Sequence, residues 1–157
     1  MGWWENFEIN CICKLIMILI SHRGNLDGPT PSLENNPTQV LQVLDKGLDC
    51  EVDVWFVDGR FMLGHDEPVY PISEEFLKNE SLWCHAKNTC ALEKMLLTNS
   101  IHCFWHEKDK HTLTSRGFIW SFLHEPLAPQ SIIVDLNVSP ALHLNCYGIC
   151  VDYIYER

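Results

Sequence analysis

Residues 50–57, CEVDVWFV, constrain the fold more than any other stretch of this chain. Val, Trp and Phe favour an extended strand, and successive side chains of a strand point to opposite faces. Glu51 and Asp53 therefore share one face, while Val52, Val54 and Phe56 share the other. Two neighbouring carboxylates are not buried without compensation. Either this is an edge strand with a wet face, or the pair holds a cation, and paired carboxylate oxygens suit a hard divalent ion such as Mg²⁺ or Ca²⁺.

The flanking segments predict what surrounds that strand. KLIMILIS is short, continuous and followed by glycine, as expected of a strand buried on both faces. NPTQVLQVLDKG places Val40, Leu41, Val43 and Leu44 on a helical stripe, with Pro37 near its start and Gly47 as its stop. After CEVDVWFV the chain turns at DGR and returns through FMLGHD. SEEFLKN reads as a helix capped by Ser73, LWCHAK as a strand, TCALEKMLLTN as a helix capped by Thr89, and IHCFWH as a strand. Strands alternating with helices predict βα units around a parallel sheet, with sites at the C-terminal strand ends. Beyond residue 106 the rhythm changes: GFIWSF, SIIVDL and GICVDYI are strand-like, with stretches between them too short for full helices.

With 157 residues the chain fits one domain, over residues 14–157. The first thirteen residues fit the rest poorly and read as an extension outside the native domain, since initiation at Met17 would put a strand at the very start. A net charge of −10 argues against nucleic-acid partners, whose backbone attracts clustered Lys and Arg. The eight cysteines include no CxxC pair, and Cys50, Cys84, Cys103 and Cys150 lie in apolar runs. They read as small buried hydrophobes in a reducing, cytoplasmic setting. LIMILI is far short of the ~20 residues that a membrane span needs, and the acidic amino end is unlike a signal peptide.

His65 and Asp66 follow the DGRFMLGHD turn back towards the carboxylate face. With His22 they supply two imidazoles able to move protons near neutral pH. HRG, then EN after a loop, then EVDV, DG and GHDEP, in this order and spacing, resemble the catalytic half of the glycerophosphodiester phosphodiesterase family, within the phospholipase C-like phosphodiesterase superfamily. The likeness is greatest to its short members, where WCHAKN and FWHEKDKHTLTSRGFIWS also have counterparts. GICVDY is similar to the family's closing strand motif.

The resemblance implies an α/β fold, a TIM-barrel-like domain shortened from the usual ~250 residues, with helices reduced or missing in its C-terminal half. Such a barrel is either incomplete or completed by a second subunit as a homo-oligomer. By position, the resemblance makes His22 and His65 the acid–base pair, Arg23 the phosphate grip, Glu34 and Asn35 its brace and extension, and Lys87 a cation beside the phosphate. Glu51 and Asp53 become metal ligands. Where larger members carry a glutamate two residues before the lysine, this chain has His85, which either completes the ligand set or leaves that place to water or Glu107. An imidazole there shifts preference from Mg²⁺ or Ca²⁺ towards Mn²⁺ or Zn²⁺. His106 and Glu107 could line the mouth as well.

The implied activity is metal-dependent hydrolysis of small glycerophosphodiesters. Two alternatives stand beside it: a relative that binds phosphate, or serves a structural role, without turnover, and a cyclising lyase like the spider-toxin sphingomyelinases.

Overall fold

In a computed structural model that describes residues 17–137 and 146–154, ten strands form one mixed sheet. The proposed N-terminal extension lies outside the described residues. In chain order the elements are β1 (Ile18–His22), α1 (Pro37–Leu44), β2 (Asp49–Val57), β3 (Arg60–Leu63), β4 (Tyr70–Ile72), α2 (Glu74–Leu77), β5 (Leu82–Ala86), α3 (Thr89–Leu96), β6 (Cys103–Phe104), β7 (His111–Leu113), β8 (Ile119–Phe122), β9 (Ser131–Val134) and β10 (Gly148–Val151).

Asn36 caps α1 through its side chain with Pro37 in the first turn, and Ser73 caps α2. Asn88, not Thr89, caps α3: its Oδ1 accepts from Ala91 N at 2.8 Å. Among the described residues, no helix is long and apolar enough to cross a membrane. Cys50, Cys84, Cys103 and Cys150 are buried and free.

The TIM-barrel-like fold is corrected by the topology. What forms is a curled mixed sheet, a half-barrel, with three short helices among the described residues. The strands run β4-β3-β2-β1-β10-β9-β8-β7, and β5 joins β2 and carries β6. Only the first half alternates strand and helix. β8 and β9 pair in parallel, yet residues 123–130 alone connect them, fewer than the dozen or so that a helical crossover takes. β3 and β4 add an antiparallel flap to the outer part of β2, and β7 folds back on β8.

β2 is the branch point and no edge strand. Residues 50–54 pair in parallel with β5, residues 20–22 of β1 flank the other side, and β2 then continues into its hairpin with β3. Outside the curl, Val40 and Val43 of α1, Leu77 of α2, and Ala91 and Met95 of α3 join the cluster containing Val52, Val54 and Cys84. Inside it lie Ile20, Trp83, Phe104, Trp120, Ile132 and Cys150. Phe104 and Trp120 approach to 4.6 Å between ring centroids although their strands do not pair, so the sheet curls far enough to bring β6 opposite β8. Burial of a side chain such as Phe104 contributes about 2–3 kcal/mol. This apolar plug is the floor on which the polar mouth is built.

One stability prediction arises here. His102 is 1% exposed, its Nε2 lies 2.8 Å from Thr114 Oγ1, and its ring packs 4.2 Å from Trp83. Burial, with Arg116 adding to it, lowers the pKa to about 4. The unfolded chain takes up that proton near pH 6.5, so stability should fall between about pH 6.5 and 4, by up to ~3 kcal/mol. Urea unfolding at pH 7 and 4.5 checks this. His102→Phe should reduce the pH-dependent loss, and an unchanged loss refutes the assignment.

Candidate active site

Alternation along the strands explains the mouth. Residues two apart in a strand face the same way, and each member of the inner apolar cluster is followed two residues later by one at or just past the strand end. The pairs are Ile20 and His22, Trp83 and His85, Phe104 and His106, Trp120 and Phe122, Ile132 and Val134, and Cys150 and Asp152. Glu51 faces the same side, in register with His22 and Trp83, and Asp53 is in register with His85. The mouth is thus polar from β10 through β1, β2 and β5 to β6, and apolar at β8 and β9.

Asp53, fully buried, is its hub. Asn35 Nδ2 donates to Asp53 Oδ2 at 2.9 Å, while Asp53 N donates to Asn35 Oδ1 at 2.8 Å. Arg23 Nε lies 2.9 Å from Asp53 Oδ2; His85 Nδ1 and Lys87 Nζ lie 3.1 and 3.5 Å from Oδ1. Burial opposes the charge, but His85, Arg23 and Lys87 outweigh it and hold the carboxyl well below its ordinary range.

Glu51 has the opposite balance. Burial and the adjacent Asp53 charge raise its pKa, only partly offset by His22, His85 and Arg23. Its oxygens lie 3.9 Å from His22 Nε2 and 3.7 Å from His85 Nδ1. Glu51 Oε2 and Asp53 Oδ1 are buried and accept no hydrogen bond of ordinary geometry. Buried acceptors left in this state call for a partner. Glu51, Asp53 and His85 offer ligand atoms within 4.8 Å of one another and could hold a metal ion.

Arg23 and Asn35 adopt left-handed backbone conformations, φ 54° and 60°, and Asn35 N donates to Arg23 O at 2.9 Å. Such strain gathers at sites where the surrounding structure holds it in place. It aims Arg23 between Asp53 and Glu34, whose Oε2 accepts from Arg23 Nη1 at 3.1 Å. Glu34 thus holds Arg23, whereas the Asn35 side chain is committed to Asp53.

His22 Nδ1 lies 2.8 Å from Asp152 Oδ1, the oxygen that also accepts from Asn25 Nδ2 at 2.8 Å. Burial disfavours the charged ring, but the Asp152 hydrogen bond and Glu51 override burial and Arg23, leaving the pKa raised. Residues 152–154 reach this position through a tie to the β1–α1 loop: Gly28 N donates to Asp152 O and Ile154 N to Leu26 O, both at 2.9 Å. Gly28, at φ 105°, lies so close to Tyr153 that a Cβ would sit 2.8 Å from its ring.

The structure thus gathers His22, Arg23, Glu34, Asn35, Glu51, Asp53, His85 and Lys87. His65 stands apart: its side chain is 40% exposed, bonds Asp66 at 2.8 Å, and faces a cleft of about 450 Å³ shared with Arg23, Glu34, Glu67 and Tyr70. Gly64 sets that turn, because at φ 151° a Cβ would meet Glu67 O. Glu107 is exposed, so it does not stand in for His85. Asn25 and Asp152 were missed from the sequence, although Asp152 follows Cys150 by the same two-residue step as His22 follows Ile20. His106 is 9% exposed, and burial, with His85 beside it, holds its pKa below the ordinary value. No protein-family model, curated protein or solved structure matches this chain.

Proposed function

We propose that this chain is a metal-dependent phosphodiesterase that cleaves small glycerophosphodiesters to glycerol phosphate and an alcohol. The observation that carries this reading is the buried Glu51–Asp53–His85 group, with unsatisfied carboxylate oxygens, flanked on one mouth by His22, Arg23 and Lys87. The resemblance of HRG, EVDV and GHDEP to glycerophosphodiester phosphodiesterases points the same way.

Arg23 Nη1 donates to Glu34, its Nε pairs with Asp53 by charge without a hydrogen bond of ordinary geometry, and the other N–H groups can take a phosphate oxygen. Lys87 adds a second positive charge where negative charge develops. His22, held by Asp152 through Nδ1, takes at Nε2 the proton of the glycerol hydroxyl next to the ester, whose oxygen bonds to phosphorus. The P–O bond to the leaving alcohol breaks as His65 gives that oxygen a proton from across the Arg23 cleft. Water then bonds to phosphorus and opens the cyclic phosphate to glycerol phosphate, with His65 taking the water proton and His22 returning its proton to the released glycerol oxygen. A divalent ion on Glu51, Asp53 and His85 would stabilise charge on the non-bridging oxygens. Mg²⁺ or Ca²⁺ is the first expectation, and His85 adds Mn²⁺ or Zn²⁺.

A second reading, a phosphate binder without turnover, is favoured by the half-exposed position of His65. One experiment separates them. Purified protein with Mg²⁺, Ca²⁺, Mn²⁺ or Zn²⁺ is given a panel of glycerophosphodiesters, and glycerol phosphate or cyclic phosphate is measured. Release that disappears in His22→Ala is expected. No release with any metal, while inorganic phosphate still binds, selects the second reading.

A further inference from the structure

Asn25 sits where the two halves of the candidate site meet. It is buried, and each of its polar groups is engaged. Its backbone N donates to His22 O at 2.9 Å, and its carbonyl accepts from Ser21 Oγ at 2.7 Å. Its side-chain Oδ1 accepts from Thr30 N at 3.2 Å, and Thr30 O in turn accepts from Glu34 N at 3.0 Å. The same amide therefore shapes the loop that delivers Glu34.

The Nδ2 group does more. This one nitrogen donates to two carboxylates, to Glu34 Oε1 at 3.0 Å and to Asp152 Oδ1 at 2.8 Å. Each carboxylate has a second duty, since Glu34 Oε2 accepts from Arg23 Nη1 and Asp152 Oδ1 lies 2.8 Å from His22 Nδ1. His22 and Arg23 are neighbours in sequence, but their side chains part at the end of β1, one towards Asp152 and the other towards Glu34. Asn25 closes that fork into one network, running from His22 through Asp152, Asn25 and Glu34 to Arg23.

The chemistry of the junction suits an amide. Two carboxylates directed at one point need a donor between them, and a lysine or arginine there would compete with His22 and Arg23 for their counter-charges. An amide presents two N–H donors and no charge. Both carboxylates thus keep their charge for the ring and the guanidinium.

We propose that Asn25 is a positioning residue that sets the proton-accepting His22 against the phosphate-holding Arg23, so that one substitution weakens the base and the phosphate grip together. This rests on the phosphodiesterase reading.

Kinetics with the panel diester that wild-type protein cleaves fastest, paired with calorimetric titration of inorganic phosphate, test it. Asn25→Ala should lower kcat about 10–100-fold, the scale of a small misplacement of reacting groups, and weaken inorganic phosphate about tenfold. The two losses should disappear in different backgrounds, because residues that act through one another are not additive. With Asp152→Ala already in place, adding Asn25→Ala should change kcat by no more than about threefold; with Glu34→Ala in place, it should change phosphate affinity by no more than about twofold. Asn25→Asp keeps the shape and the acceptor for Thr30 N but turns a third carboxylate on the pair, so it should lose at least as much as Asn25→Ala on both measures.

A loss that persists undiminished in its matching background is that of a merely structural residue and overturns the proposal. So does a loss confined to kcat or to phosphate affinity, or an Asn25→Asp variant that behaves as wild-type. Wild-type protein that cleaves no diester removes the phosphodiesterase reading and this proposal with it, whereas cleavage with additive losses removes this proposal alone. Should the variants fail to fold, the Nδ2 protons of Asn25 in wild-type protein decide by NMR. Both should exchange slowly with solvent and shift as inorganic phosphate binds, and resonances indifferent to phosphate overturn the assignment.

Discussion

Asp53→Asn should destabilise the metal-free protein by about 3 kcal/mol, whereas Glu51→Gln should leave it unchanged or more stable. The two carboxylates are two residues apart on one strand face, and their surroundings differ. Asp53 is the common counter-charge for Arg23 and Lys87 and also faces His85, so its loss leaves Lys87 unpaired and Arg23 with Glu34 alone. Glu51 has an oxygen that accepts nothing and a proton affinity raised by burial and by Asp53. A carboxyl whose folded pKa is raised favours the fold while protonated, and that contribution is lost as pH rises through its folded pKa. Burial and Asp53 both disfavour a charge on Glu51, and glutamine carries none. Both variants should nonetheless lose Mn²⁺ affinity by about a hundredfold or more. Urea unfolding in chelator and a Mn²⁺ titration make the comparison. Equal destabilisation by both changes would contradict the assigned roles, and unchanged Mn²⁺ affinity in both would remove the cation site.

That contrast marks what the sequence could and could not show. The period-2 pattern of CEVDVWFV places Glu51 and Asp53 on one face, and it does so whether the strand is central or an edge. What decides between them is the pairing of β2 with both β1 and β5, a property of distant segments. The first-half strands and helices are local features, written in Ile, Leu and Val runs, in Pro37, and in the side-chain caps at Asn36, Ser73 and Asn88. The barrel expectation failed because it came from short motifs, which say nothing of how the strands between them pair. Nothing local in residues 123–130 announces that β8 and β9 pair in parallel without a helix between them. Asp152 escaped notice for the same reason: its contact with His22 joins residues 130 positions apart.

Asp152→Asn should lower turnover about 10³–10⁴-fold, on the scale set by orienting carboxylates beside catalytic histidines, while changing KM little. The phosphodiesterase reading uses His22 Nε2 as the base, which requires that the ring proton stay on Nδ1. Asp152 Oδ1 enforces this at 2.8 Å, and Asn25 and the Gly28 backbone fix Asp152 itself. An asparagine at this position can offer its amide nitrogen to Nδ1, which favours the tautomer with its proton on Nε2 and its lone pair turned away from the substrate. KM should hold because Arg23 and Lys87, the groups assigned to the phosphate, are anchored by Glu34 and Asp53 and not by Asp152. The pH profile supplies an independent readout. Against burial, the Asp152 hydrogen bond helps raise the His22 pKa, and a general base works only when unprotonated. The rise of activity with pH should therefore move to lower pH in Asp152→Asn, even as its plateau falls. Asp152→Ala separates orientation from packing: it should lose activity comparably but without imposing the wrong tautomer, so added imidazole should restore more of its turnover than that of Asp152→Asn. Wild-type kcat in Asp152→Asn, or a loss confined to KM, would show that His22 is not the base.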